Sequence, residues 1–286
     1  VKGMTKNKYS ALTVAVIFST CQYHIANLYV RGAVGEAQSF VFFPMVVYGI
    51  YDLIYGDFKK PWVMGLGFWG LMFSHSISLV IALCATAGIC LFHFKTVVLN
   101  GKKFGKLILT AVVTLLCSIG FWLPMIEQLL SNEFYFSQPW TTVTDNAVGL
   151  IQIFGAGYYD YTYNFDTMVL LMCLLFFLLP KTQKGDPQRK QIRWFYIVGL
   201  VLLFVATRYF PWQILQPVLN NIQFPWRFYA IATLFLAVGI ALTVQAKWQG
   251  RYGKEAVIAV LCLMVIGSNS YFEKANIDYV KVEEDA

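Results

Sequence analysis

Charge is what this sequence has least of. Only 13% of its 286 residues are Asp, Glu, Lys or Arg, where a soluble domain carries about 25%, so an ordinary water-facing surface is excluded over most of the chain. The six cysteines, Cys21, Cys84, Cys90, Cys117, Cys173 and Cys262, are scattered through apolar runs without paired spacing or nearby histidines. That pattern excludes a zinc motif and a disulfide framework and reads as small buried hydrophobes. The basic opening "VKGMTKNKYS" runs into apolar sequence without a small-residue cleavage site, which argues against a signal peptide. A chain that starts on valine reads as a fragment. Net charge is +7, but the excess is spread over short loops with no aromatic-basic module, so nucleic acid is not an expected partner. Acidic residues are too sparse for a dedicated all-protein metal cage; one divalent cation shared between Glu36 and a bound phosphate stays open.

What is abundant is apolar sequence: 58% hydrophobic and 17% aromatic residues. A spanning helix needs about 20 mostly apolar residues, and the candidates are 11–28, 37–55, 104–123, 165–180, 192–207, 226–245 and 255–270. The block 61–94 is long for one helix and short for two. Charge bias favours two, because loops on the cytoplasmic side carry the excess of Lys and Arg. With two passes there, Lys2, Lys6 and Lys8, Lys59 and Lys60, the Lys95 to Lys106 loop, the Lys181 to Arg193 loop and Lys247 to Lys254 all face one side. The expected fold is therefore an all-α, polytopic membrane bundle with eight passes, occupying residues 1–270. Its N-terminus lies inside and its C-terminus outside, and residues 271–286 form an acidic outer tail.

In this orientation the costly residues gather on the outer face. "YVRGAVGEAQSF" carries Arg31 and Glu36; His75 lies in the turn of the 61–94 block; Arg208 precedes "YFPWQ"; Arg227 sits inside "FPWRF". The loop 124–166 is rich in rings, among them Trp140, Tyr158 and Tyr159. Aromatic side chains favour the membrane interface, and with Trp226 these rings suit the apolar faces of a sugar. Bland readings stand beside each feature: an exposed Arg31–Glu36 loop pair worth little, a structural His75, an aromatic anchoring belt, and an Arg227 that snorkels to headgroups. The sharper reading of Arg227 rests on Pro225, which suits the first turn of a helix. Free N–H groups and the positive end of the helix dipole then lie beside a guanidinium, and guanidinium matches phosphate oxygens in pairs. Glu36 offers the carboxylate that glycosyl transfer from a lipid phosphate needs to take the acceptor's proton.

These segments, with "LGFWGLMFSHSISLVIAL", "FWLPMIEQL" and "IQFPWRFYAIATLFLAVG", resemble the YfhO-like bacterial membrane proteins and the related 6-pyruvoyl-tetrahydropterin-synthase-related membrane proteins. The resemblance covers most of residues 20–245. It implies a fold similar to the GT-C membrane glycosyltransferases of the bacterial plasma membrane. Such enzymes take a sugar from a polyprenyl-phosphate donor and pass it to a cell-envelope polymer or glycolipid. On that reading Glu36 and His75 are the acid/base groups, and Arg227, Arg31 and Arg208 hold phosphate. Trp140, Tyr158, Tyr159 and Trp226 then hold sugar. The pattern departs from GT-C enzymes in its first outer loop, roughly 28–37, which is too short for the usual catalytic loop; that loop is expected upstream of Val1, with Glu36 a secondary site residue, the alternative being a fragment that is not a competent enzyme. A lipid-linked-sugar transporter and a non-catalytic scaffold subunit are the alternatives.

Overall fold

The computed structural model describes residues 2–132, 141–153, 165–178, 186–247, 259–260, 262–264 and 267. The principal helices are α1 (Lys8–Thr20), α2 (Val34–Tyr55), α3 (Pro61–Ser74), α4 (Ser76–Phe92), α5 (Gly101–Cys117), α6 (Ile119–Ser131), α7 (Thr167–Cys173), α8 (Pro187–Val205), α9 (Trp212–Leu219) and α10 (Phe228–Lys247). The described residues contain no strand, only an isolated bridge between Val148 and Thr207. Among the described residues two stretches are long and apolar enough to cross a membrane, Val34–Tyr55 and Pro225–Ala246. The number rises to four if two bent pairs each count as one span: α1 with Gln22–Val30, bent by 46°, and α5 with α6, bent by 70°.

Local chemistry explains the breaks. Asn7 caps α1 by accepting from the Tyr9 N–H at 2.8 Å, and the helix stops at Cys21, whose backbone is extended. The block 61–94 divides at His75, also extended, whose ring accepts the Ser78 N–H at 3.2 Å and so caps α4. The stretch expected as one span over 104–123 is broken at Ser118, which ends α5. Over 165–180 the apolar helix is short, Thr167–Phe177, and the expected span at 255–270 and the tail 271–286 fall largely or wholly outside the described residues.

The chain forms two compact units. The first comprises residues 1–37, 148–207 and 228–286, and its axis is α10. Almost every side chain of α10 is buried, as expected of a helix that is apolar all round. α1, α7 and α8 pack on it. At Gly199 of α8 a Cβ would sit 2.7 Å from the Leu236 side chain, so only glycine allows this helix pair to approach so closely. Nearby, the Tyr196 and Thr243 hydroxyls pair at 3.1 Å.

The second unit comprises residues 38–147 and 208–227. Here α3 packs against α4 and α5, and a Cβ at Gly70 of α3 would overlap the Phe42 ring of α2. The 141–147 loop is tied to α9 and the turn after it: Val143 N–H donates to Asn220 Oδ1 at 3.0 Å, and Thr144 bonds Gln216.

Candidate functional site

In the first unit a cluster of polar groups is buried around Glu36. Gln22–Ile25 continues into a wide π-helical turn, Ala26–Val30, closed by the Arg31 N–H on the Ala26 carbonyl at 2.8 Å. Such turns are rare and recur at functional sites. Gly32 then takes a left-handed backbone, φ +60°, which glycine adopts at no steric cost. That reversal folds the start of α2 back on the turn, with Glu36 in the first helical turn, where the N-terminal N–H groups favour a carboxylate.

Arg31 Nη1 donates to Glu36 Oε2 at 3.1 Å and to Asn27 Oδ1 at 2.6 Å, and the Tyr23 hydroxyl donates to Glu36 Oε1. Glu36 is 3% exposed and the Arg31 side chain 19%, so the exposed loop pair allowed for above does not form: the carboxylate is inside the protein and the arginine is only partly exposed. Burial alone would make Arg31 less basic, but Tyr23 and Glu36 outweigh it and hold the guanidinium charged. Asn27 is fully buried and its Nδ2 has no hydrogen-bond acceptor. A buried amide donor left so costs about 1–3 kcal/mol. The two groups seen to bond Glu36, the Tyr23 hydroxyl and the Arg31 guanidinium, are donors. Among the described residues no three His, Cys, Asp or Glu side chains cluster as a metal site.

Tyr23 is held by the fold and not by its neighbours in sequence. Its ring meets Tyr229 of α10 edge to face at 5.8 Å, and Tyr229 meets Phe165 at 5.2 Å. The next residue, Asp166, caps α7 by accepting the Met168 and Val169 N–H groups and also takes the Gln22 N–H at 3.1 Å. Tyr23, Asn27, Asp166 and Tyr229 were not among the residues singled out from sequence. Spacing alone would have flagged the first two, since Tyr23, Asn27 and Arg31 recur every four residues along one helical face.

Of the remaining candidates, His75, Arg208, Trp226 and Arg227 belong to the second unit. Arg227 ends a 3-10 turn, Pro225–Arg227, immediately before α10. It does not snorkel: it is 8% exposed, its Nη1 donates to the Ile222 carbonyl at 2.7 Å, and its guanidinium lies 4.8 Å from the centre of the Phe224 ring. Trp226 stacks on the same ring at 4.6 Å. "IQFPWRF" is thus a turn fastened by its own arginine. His75 faces Ser78, its Nδ1 2.8 Å from that hydroxyl, and Ser78 in turn donates to Ser39 at 3.1 Å. Arg208 is exposed. Trp140, Tyr158 and Tyr159 lie outside the described residues. Of the residues expected to act together, Arg31 and Glu36 meet within one unit, as Trp226 and Arg227 do within the other.

Apolar helices of spanning length around a buried ion pair define the class: an α-helical membrane protein. Residues 3–276 match the family model described as "6-pyruvoyl-tetrahydropterin synthase related domain; membrane protein", and the chain belongs to that family. No curated protein and no solved structure matches it.

Proposed function

We propose that this is a GT-C-like membrane glycosyltransferase whose reacting groups centre on Glu36 and Arg31. It would transfer a sugar from a polyprenyl-phosphate donor to a cell-envelope polymer or glycolipid on the outer face of a bacterial plasma membrane. Eight passes, with the N-terminus inside, belong to this reading. The observation that carries it is the buried carboxylate beside a partly exposed arginine. Glu36 takes the acceptor hydroxyl's proton as the acceptor oxygen bonds to the anomeric carbon. The bond from that carbon to the phosphate oxygen breaks, and its electron pair leaves with the lipid phosphate. Arg31, steadied by Asn27, meets the charge that develops there, the kind of fixed donor that is worth most in a dry site. Arg227, Arg208 and His75 are secondary on this reading, and the aromatic loop with Trp140, Tyr158 and Tyr159 supplies the sugar platform.

The inward turn of Arg227 favours a second reading, a non-catalytic scaffold subunit, because the arginine that looked free for phosphate is committed to its own chain. Sugar transfer from a labelled polyprenyl-phosphate donor in membranes containing the protein separates the two. Wild type should transfer, and Glu36→Gln should lose at least about a hundredfold, the usual contribution of a positioned base, at unchanged protein level. Equal transfer by Glu36→Gln removes Glu36 from the chemistry; no transfer by either, with a partner that co-purifies, supports the scaffold.

A further inference from the structure

A groove of about 510 Å³ runs along the second unit between α3 and α5, within the size range of small-molecule sites. Its floor is Gly65 against Thr110 and Thr114. A Cβ at Gly65 would lie 2.9 Å from the Thr114 hydroxyl, so the two helices touch there and nothing else fits beneath. Its walls are apolar and open: Trp62 is 64% exposed, Leu109 62% and Val113 49%. From Lys106 to Cys117 the groove follows twelve residues of helix, about 16 Å from first to last, a length suited to a hydrocarbon chain. The far end is closed by rings: Trp69 donates to the Cys117 carbonyl at 3.3 Å and lies 4.8 Å from Phe73.

The near end is positively charged. Lys106 lines the groove and donates to the Phe58 carbonyl at 3.1 Å, leaving donor capacity on its ammonium group. Lys103 binds the Leu53 carbonyl, and Lys60 and Lys102 are exposed at the starts of α3 and α5. Of the acids there, Asp57 pairs with Lys59, and Asp52 receives the Lys60 N–H. The lysines outnumber the acids, so the end of an apolar slot bears net positive charge. That is the complement of an amphiphile with an anionic head.

We infer that this groove is a binding site for an anionic membrane lipid, with one hydrocarbon chain between α3 and α5 and its phosphate among Lys60, Lys102 and Lys106. The test reconstitutes the full chain in vesicles of equal parts phosphatidylglycerol and phosphatidylcholine, extracts it gently, and counts retained lipids by native mass spectrometry. Wild type is expected to keep phosphatidylglycerol. Lys106→Gln and, separately, Lys102→Gln, which disturbs no observed bond, should each weaken the anionic preference about fivefold, the equivalent of about 1 kcal/mol per lysine near a charged surface. Val113→Trp, at an exposed wall where the fold is least disturbed, should displace the lipid while the thermal transition stays in place. Equal retention of the two lipids by wild type, a preference unchanged in both lysine variants, or full retention in Val113→Trp would each overturn the proposal. So would a lipid-free dimer, which would mean that a second copy fills the groove.

Discussion

Two arginines stand at the ends of helical turns in this chain, one in each unit, and their surroundings differ. Arg31 is paired: it shares a buried carboxylate with Tyr23, rests on Asn27 and is partly exposed. Arg227 turns inward, its Nη1 donating to a backbone carbonyl five residues earlier and its guanidinium lying over the face of Phe224. Buried charge is tolerated when hydrogen-bonded and paired, or when laid on a ring. Arg31 retains a face toward an incoming group, and Arg227 spends its contacts on holding a turn. The first therefore suits chemistry and the second architecture.

The comparison breaks most visibly at Glu36. Glu36→Ala strands a buried guanidinium and should cost about 3–5 kcal/mol, read as a fall in the thermal transition of the purified protein. The double variant Arg31→Met, Glu36→Leu should cost less than Glu36→Ala alone, because replacing both partners leaves no charge unpaired. Equal losses would mean the two side chains do not act as a pair. Arg227→Met comes next, at about 3 kcal/mol, since a desolvated cation–π contact and a charged hydrogen bond go together. Arg227→Lys should recover little of it, because an ammonium cannot lie flat on Phe224 while reaching Ile222; full recovery would show that charge alone matters there. Tyr23→Phe should cost least, about 2 kcal/mol for one hydrogen bond to a charged acceptor. It sharpens the contrast by freeing one Glu36 oxygen: sugar transfer should change, whereas Arg227→Lys should alter stability more than transfer.

Much of this was legible in the sequence because it is local. Glu36 lies five positions after Arg31 with Gly32 between them, and a glycine that can take a left-handed backbone lets the chain turn back over so short a distance. Pro225 ahead of Trp226 marks a helix start, and the polar "SHS" inside an apolar block marks the break that His75 makes. Tyr23 could be suspected from its four-residue spacing to Asn27. Asp166 could not be placed, because its bond to Gln22 joins residues 144 apart in sequence. Nor could Tyr229, which meets Tyr23 across more than two hundred residues.

The sequence by itself determined that this chain is helical and membrane-embedded, since too little charge and too many apolar runs leave no other solvent for it. Only the tertiary structure decided which apolar helix faces what. Val34–Tyr55 and Pro225–Ala246 read alike as spans, yet half of the first and 94% of the second are buried within the protein. Hydropathy measures the cost of leaving water, and lipid tails and a protein core repay that cost equally. The same holds for the arginines: a guanidinium at a helix end has the same sequence signature whether it points to solvent, to a carboxylate or back to its own carbonyls. Packing chose the carboxylate for Arg31 and the Ile222 carbonyl for Arg227.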